Sequence, residues 1–188
     1  MTRWASRLER PLGLTGVILS GAIFGFFYAW VCSTMWGLDD ADPRVAIEAM
    51  QAMNASVRNA VFVPAFFLTP VALGAWALAL FGLRLGRLAL MAASAALVYT
   101  IGGLILTMAL NVPMNEDLAG TPVPTDRSAA QLVWDDYSGP WQTRNQIRAV
   151  ASGVTLTIAA LTFAGAAARR RRMETTDAGS RVVAPAEA

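Results

Sequence analysis

The chain contains no histidine, no lysine and a single cysteine, Cys32. One cysteine rules out an intramolecular disulfide and a vicinal-thiol redox cycle. Without imidazole or a second thiolate, zinc, copper and haem have almost no ligands to draw on, and only a carboxylate site for a hard metal stays open. Charge is scarce as well: 15% of the residues are charged, against about 25% in an average soluble domain. The 15 basic residues, all arginine, face 13 acids and leave a net charge of +2, too small an imbalance to point to nucleic acid. Apolar residues take the space instead, at 55% of 188 residues and a mean hydropathy of +0.46. A chain of this length has no room for both a four-helix membrane core and a separate catalytic domain. Any chemistry must sit within or beside the membrane helices.

Four uncharged stretches lie between Arg10 and Asp39, Arg58 and Arg84, Arg87 and Glu116, and Arg148 and Arg169. Each is long enough to cross a hydrocarbon layer that takes about 20 apolar residues. They predict an all-α integral membrane four-helix bundle with spans near 11–37, 60–83, 88–112 and 141–168. The first run ends in bulky Trp30, Met35 and Trp36 rather than in a small-residue cleavage site, so it reads as a retained span and not a signal peptide. Arg3, Arg7 and Arg10, then Arg84 and Arg87, then Arg169 to Arg172 all fall on one side of the four-span arrangement. Arginine near span ends stays cytoplasmic, which predicts a multi-pass protein of the cytoplasmic membrane, residues 1–10 and the C-terminus both inside. The small, polar residues of the 169–188 tail predict cytoplasmic disorder.

The connections on the other side carry features of their own. Asp42 before Pro43 is a helix start, and Ile47, Met50, Asn54, Val57 and Val61 recur at helical spacing. This predicts an extra amphipathic interfacial helix between spans one and two that runs on into span two. Gln51, Asn54 and Asn59 on it read either as solvated residues at headgroup level or as pocket residues. Pro64 and Pro70 predict kinks in span two. Gly21 and Gly25 form a GxxxG pair in span one, suited to close helix packing and to a homo-oligomer.

Span three ends in Asn111-Val112-Pro113-Met114-Asn115-Glu116, where Pro113 predicts that the helix ends or bends. Asn111 can serve there as a cap for helix carbonyls. Span four opens with Ser138-Gly139-Pro140, a starting pattern, and at 100° per residue Trp141, Asn145 and Arg148 share one face. Arg148 alone reads as snorkelling or as a lipid-phosphate contact as readily as it reads as a pocket residue aligned with Asn145, and Trp141 alone as an aromatic-belt residue. Taken together, Asn54, Asn59, Asn111, Asn115, Asn145 and Arg148 come from three chain regions and map to one depth at the outer mouth, which predicts a pocket.

The four-span layout, Met50-Gln51-x-x-Asn54 with Asn59, Asn111-Val-Pro-Met-Asn115 and Trp141-x-x-x-Asn145-x-x-Arg148 resemble the anthrone oxygenase-like membrane proteins over roughly residues 12–168. The resemblance implies oxidation of an anthrone or another small apolar aromatic by O₂ with no cofactor and no metal. An anthrone anion is electron-rich enough to reduce O₂ itself, so the site has to stabilise an oxyanion and hold the reactants. On that reading Arg148 supplies the charge, Asn145, Asn111 and Asn115 bond the ring oxygens, and Trp141 stacks on the substrate. Gln51, Asn54 and Asn59 complete the binding set. The base is Glu116, with Tyr137 the alternative, or the pocket ionises the substrate by hydrogen bonding alone.

Two other classes compete. A non-enzymatic membrane module, binding a lipid or quinone-like ligand or serving a larger assembly, accounts for the arginine and amides as headgroup contacts. A transporter calls for ionisable groups at the bilayer midplane. Span four offers only Ser152, Thr155, Thr157 and Thr162 there, which can bond their own helix backbone, so transport is the weakest of the three.

Overall fold

The computed structural model describes residues 3–182, and every regular element among them is helical. In chain order these are α1 (Arg3–Ala29), a π turn (Trp30–Thr34), α2 (Met35–Asp39), α3 (Pro43–Ser56), α4 (Phe62–Gly82) and α5 (Gly86–Tyr99). Two further π turns (Thr100–Ile105 and Thr107–Asn111) lead into α6 (Val112–Gly120), and α7 (Arg127–Val182) completes the chain. Four helical stretches, Arg3–Asp39, Phe62–Gly82, Gly86–Gly120 and Arg127–Met173, are long and apolar enough to span a membrane. The protein is a multi-pass membrane protein. α1 packs on α4 and α7, and α5 closes the ring against the same two.

The half of the bundle nearest the chain ends and the α4–α5 hairpin, here the arginine-rich half, is tightly packed. Its core joins Leu73, Trp76 and Leu80 to Ala89, Ala92, Ala95, Ala159 and Ala166. The alanines and two glycines let the helices approach. A Cβ on Gly13 would stand 2.7 Å from the Trp76 ring and 2.9 Å from Phe163, and one on Gly16 would stand 2.9 Å from Leu73. The predicted packing pair lies elsewhere: a Cβ on Gly25 would meet nothing within 4 Å, and one on Gly21 only Leu156 at 3.9 Å. Glu9 is buried here, accepting from Trp76 Nε1 at 3.4 Å and paired with Arg170. The α4–α5 turn closes with Leu85 N–H on the Leu80 carbonyl (3.0 Å) and Arg84 N–H on that of Phe81 (2.9 Å). This places Arg84 at φ 60°, a left-handed conformation usually given to glycine.

At the opposite end, α2, α3, α6 and the first turns of α7 form a helical cap around Met35, Ile47, Met50, Leu118, Trp134, Tyr137 and Trp141. Asp42 starts α3 as expected, accepting the Arg44 N–H at 3.0 Å. The Arg44 guanidinium, bonded to it through Nε (2.9 Å) and Nη2 (2.8 Å), holds that carboxyl well below the usual carboxylate range. Asp39 ties α2 to α7, accepting from Ser138 Oγ (2.6 Å), Gln142 Nε2 (2.8 Å) and Trp134 Nε1 (2.9 Å). Gln51 Nε2 donates to the carbonyls of Leu118 (2.8 Å) and Thr121 (3.0 Å), closing the end of α6.

Several boundaries differ from the sequence expectation. α7 begins at Arg127 rather than near 141, because Asp126 caps it by accepting the Ala129 N–H at 2.8 Å. Pro140 then lies inside the helix, on an exposed stretch where water can satisfy the carbonyl it leaves without a donor. α7 also continues through Arg169–Arg172 to Val182, so the 169–188 tail is helical as far as it is described. Residues 169–174 are good helix formers and no proline interrupts the run to Val182, although residues 175–180, with Gly179, are mostly weaker ones; residues 183–188 lie outside the described residues. α3 does not run into α4. The chain turns at 57–61, and Asn59 Oδ1 caps α4 by accepting the N–H groups of Val61 (2.8 Å) and Phe62 (2.9 Å). Pro64 therefore falls in the first turn of α4, where a missing donor costs nothing, and only Pro70 is interior. The third span passes Pro113 without ending, since the π turn before it changes register and Pro113 enters α6 in its first turn.

Candidate functional site

Beneath the cap lies a cavity of about 780 Å³. Its floor is formed by Ile23, Phe27 and Phe66, backed by Tyr99 and Ala149 in one buried cluster that is fixed where the Tyr99 hydroxyl donates to the Phe66 carbonyl at 3.0 Å. Phe26, Phe27 and Trp30 of the first span and Phe62 and Phe66 of α4 wall it with aromatic rings, Phe26 and Phe62 at 4.7 Å between centroids. The three π turns lie in this half of the bundle, beyond Tyr99 or at the end of α1. A π turn adds a residue to a helical turn and redirects the side chains that follow, which is why such turns collect at functional sites.

The polar groups converge from α7 and the third span. Arg148, 5% exposed, lies with its guanidinium carbon 4.6 Å from the Phe27 ring and 5.2 Å from the Trp141 ring. Its Nη2 donates to Asn145 Oδ1 at 2.9 Å and its Nη1 to Thr107 Oγ1 at 3.5 Å. Asn145 Nδ2 in turn donates to the Phe27 carbonyl at 3.1 Å, so both ends of that amide are used and its job is to hold the guanidinium. No carboxylate pairs with Arg148 among the described residues, and its Nε has no partner. Burying a cation without a counter-charge costs several kcal/mol, and the two aromatic faces return only about 2 kcal/mol each at a desolvated site.

A second network lies above it. Trp141 Nε1 donates to Asn115 Oδ1 at 3.0 Å, and the Tyr137 hydroxyl donates to the same oxygen at 2.8 Å. Asn54 Nδ2 donates to the Tyr137 oxygen at 3.2 Å. An indole N–H only donates, so it fixes which end of the Asn115 amide is oxygen and leaves the NH₂ group to the cavity that Asn115 lines. Trp141 packs tilted against Trp30, the ring centroids 5.0 Å apart and the planes at 56°.

Trp141, Asn145, Arg148, Asn115, Asn54 and Glu116 are thus brought together around one cavity, and Asn59 reaches its rim as a helix cap. Glu116 is 59% exposed and pairs with Arg58 at 3.3 Å, on the rim rather than in the buried setting expected of a general base. Tyr137 stands behind Asn115 and Asn54. It does not line the cavity, and neither do two others. Gln51 belongs to the cap, and Asn111 is fully buried outside the cavity wall with neither amide atom partnered. On this span Thr107, Met108, Val112, Asn115 and Glu116 face the cavity; from Met108 on that face is centred on Val112, and at about 100° per residue Asn111 falls beyond its edge although it is one turn from Asn115.

The segments that carry this constellation also carry a family relationship. A family model described as anthrone oxygenase matches residues 52–158, more than half of the chain. The chain belongs to the anthrone oxygenase family. The match takes in Asn54, Asn59, Asn115, Glu116, Trp141, Asn145 and Arg148, while the first span, with Phe27 and Trp30, lies outside it. No curated protein and no solved structure matches the chain.

Sequence reasoning missed Phe27, Trp30, Phe62, Phe66 and Thr107. Phe26, Phe27 and Trp30 do stand at helical spacing, but an aromatic stripe on a membrane span faces lipid as readily as a cavity. Thr107, one turn before Asn111 and Arg148's partner across the bundle, was the more findable.

Proposed function

We propose that the cavity binds an ionisable aromatic ketone of the anthrone class and promotes its oxidation by O₂ to the quinone, with no metal or flavin taking part. In the net reaction the ring methylene loses both hydrogens, one oxygen atom becomes the new ketone and the other leaves as water. The observation that carries this reading is Arg148: a buried guanidinium with no acidic partner among the described residues, set between two aromatic rings at the wall of an apolar cavity. A delocalised aromatic anion supplies the missing counter-charge and the flat surface in one molecule. Arg148 stabilises that anion as it forms, which is where a pre-set donor contributes most.

Asn115 donates its free NH₂ to a ring oxygen, and Trp141, Phe26 and Phe62 hold the ring plane. Asn145 is a positioning residue for Arg148, as Tyr137 is for Asn115. Because Arg148 stabilises the anion and so makes the bound methylene more acidic, an exposed acceptor suffices: Glu116, the one carboxylate among the described residues lining the cavity, takes the proton at the rim and passes it to water. The mouth faces the extracytoplasmic side, given arginine at the opposite end; a reporter fused to the C-terminus and found outside the cell would reverse that.

The test is O₂ consumption by detergent-purified protein with a panel of anthrones, corrected for spontaneous oxidation, for wild type, Asn145→Ala and Arg148→Ala. Turnover in wild type that both variants lose supports the reading. No rate above background across the panel transfers the cavity to the alternative, non-enzymatic binding of a lipid or quinone-like ligand.

A further inference from the structure

The cap covers the cavity from above, where α3 and α6 close over it against the start of α7. The side is open. α4 holds the third span along α5 and at the Tyr99–Phe66 bond, and toward the cap α4 ends at Phe62 while the third span continues to Gly120. Val63 and Phe67 stand on one edge of the resulting gap, Met108 and Val112 on the other, and all four line the cavity. Val63, Phe67 and Met108 are also 40%, 43% and 48% exposed. Side chains that line an internal cavity and are nearly half exposed on apolar helices mark an opening to lipid. At the cap end of the gap stand Arg58 and Glu116, ion-paired at 3.3 Å. The opening is therefore apolar at its deeper edge and charged at its shallower one, the same gradient as the membrane interface it faces.

Resting on the reading that the cavity takes an amphipathic aromatic, we propose that this ligand comes in from the bilayer rather than from water, through a side window framed by Val63, Phe67, Met108 and Val112. A polycyclic ring system gains roughly 25 cal/mol for each Å² it removes from water, so it collects in the membrane before it meets the protein. At the interface its polar edge lies level with Arg58 and its rings level with Phe67. Sliding inward keeps the rings among apolar side chains until they reach the floor aromatics, with the oxygen edge toward Asn115 and Arg148. Met108, an unbranched thioether, is a sill that can yield to ligands of different outline. The window selects by partitioning and flatness: a fully hydrated anion of equal size has no apolar route in.

The experiment needs no substrate, so it fails or succeeds independently of the oxidation chemistry. In a Cys32→Ser background, Ala65→Cys places a single thiol on the cavity wall, and the full chain is reconstituted in phosphatidylcholine vesicles. Labelling is timed with N-cyclohexylmaleimide dissolved in the lipid and with a charged, membrane-impermeant methanethiosulfonate. Met108→Trp, filling the window, is expected to slow lipid-phase labelling by about tenfold or more, whereas Leu78→Trp, on the lipid face of the arginine-rich half, changes it by less than about twofold. Val63→Trp repeats the test from the other edge should Met108→Trp fold poorly. Lipid-phase labelling that neither window substitution slows, or charged reagent that labels as fast as the apolar one, overturns the proposal. Labelling that behaves as expected in a protein that turns over no anthrone leaves the window standing and removes only the oxygenase reading.

Discussion

The two halves of this bundle use the same four helices to opposite ends. In the arginine-rich half, glycine and alanine bring backbones together, Trp76 fills the space over Gly13, and the buried acid Glu9 has Arg170 and the Trp76 indole as partners. Polar side chains there mostly satisfy themselves, as Thr155 and Thr162 do on carbonyls one turn back (2.9 and 2.7 Å). In the capped half the helices carry π turns, a cavity of about 780 Å³ separates them, and the buried charge, Arg148, has no acidic partner among the described residues. Folding alone does not favour the second arrangement. An unpaired buried guanidinium beside a void costs stability, and such costs persist where a site is held ready for a ligand. The packed half supplies the stability that the open half gives up.

The sharpest way to break this contrast is to remove its central charge. Arg148→Met is expected to lower anthrone turnover by about 100-fold or more, the loss seen when a pre-set donor to a developing oxyanion is deleted. It should melt at the same temperature as wild type or higher, because an uncompensated charge leaves the interior. A variant that lost activity and melting temperature together would mean Arg148 is a structural residue. Glu116→Gln at the rim is expected to lower turnover by about 100-fold if it is the base; unchanged turnover would withdraw that role and leave ionisation to Arg148 and Asn115.

On the packed side, Gly13→Ala forces a methyl against Trp76 and Phe163 and is expected to destabilise by about 1–3 kcal/mol. Gly25→Ala, with nothing within 4 Å, should leave thermal unfolding in detergent unchanged. Equal effects at the two positions would show that Gly25 has a neighbour in another copy of the chain. Tyr137→Phe removes the hydroxyl between Asn54 and Asn115 and should cost about 1 kcal/mol, raising KM more than it lowers kcat. Smallest of all, Arg84→Gly relieves the left-handed residue at the α4–α5 turn and should stabilise by up to about 1 kcal/mol by the same unfolding measurement, with the cavity untouched.

The sequence alone determined the class of structure. Long uncharged runs in a chain with few charges leave helices as the way to satisfy every backbone group in lipid, and the charges between those runs mark four apolar helices. It also marked Asn115, Trp141, Asn145 and Arg148, because on one straight helix residues three and four apart must share a face. On α7 that count places Trp141, Asn145 and Arg148 on one cavity wall; on the third span the wall is centred on Val112, and Asn111, one turn from Asn115 but beyond its edge, does not reach the cavity. Capping by Asn59 and the early start of α7 at Asp126 depended on single side-chain hydrogen bonds that composition does not reveal. Only the tertiary structure decided which glycines pack and that Phe27 and Thr107 complete the arginine site. Each is a relation between helices far apart in the chain, and one-helix periodicity carries no information about which neighbour a face will meet.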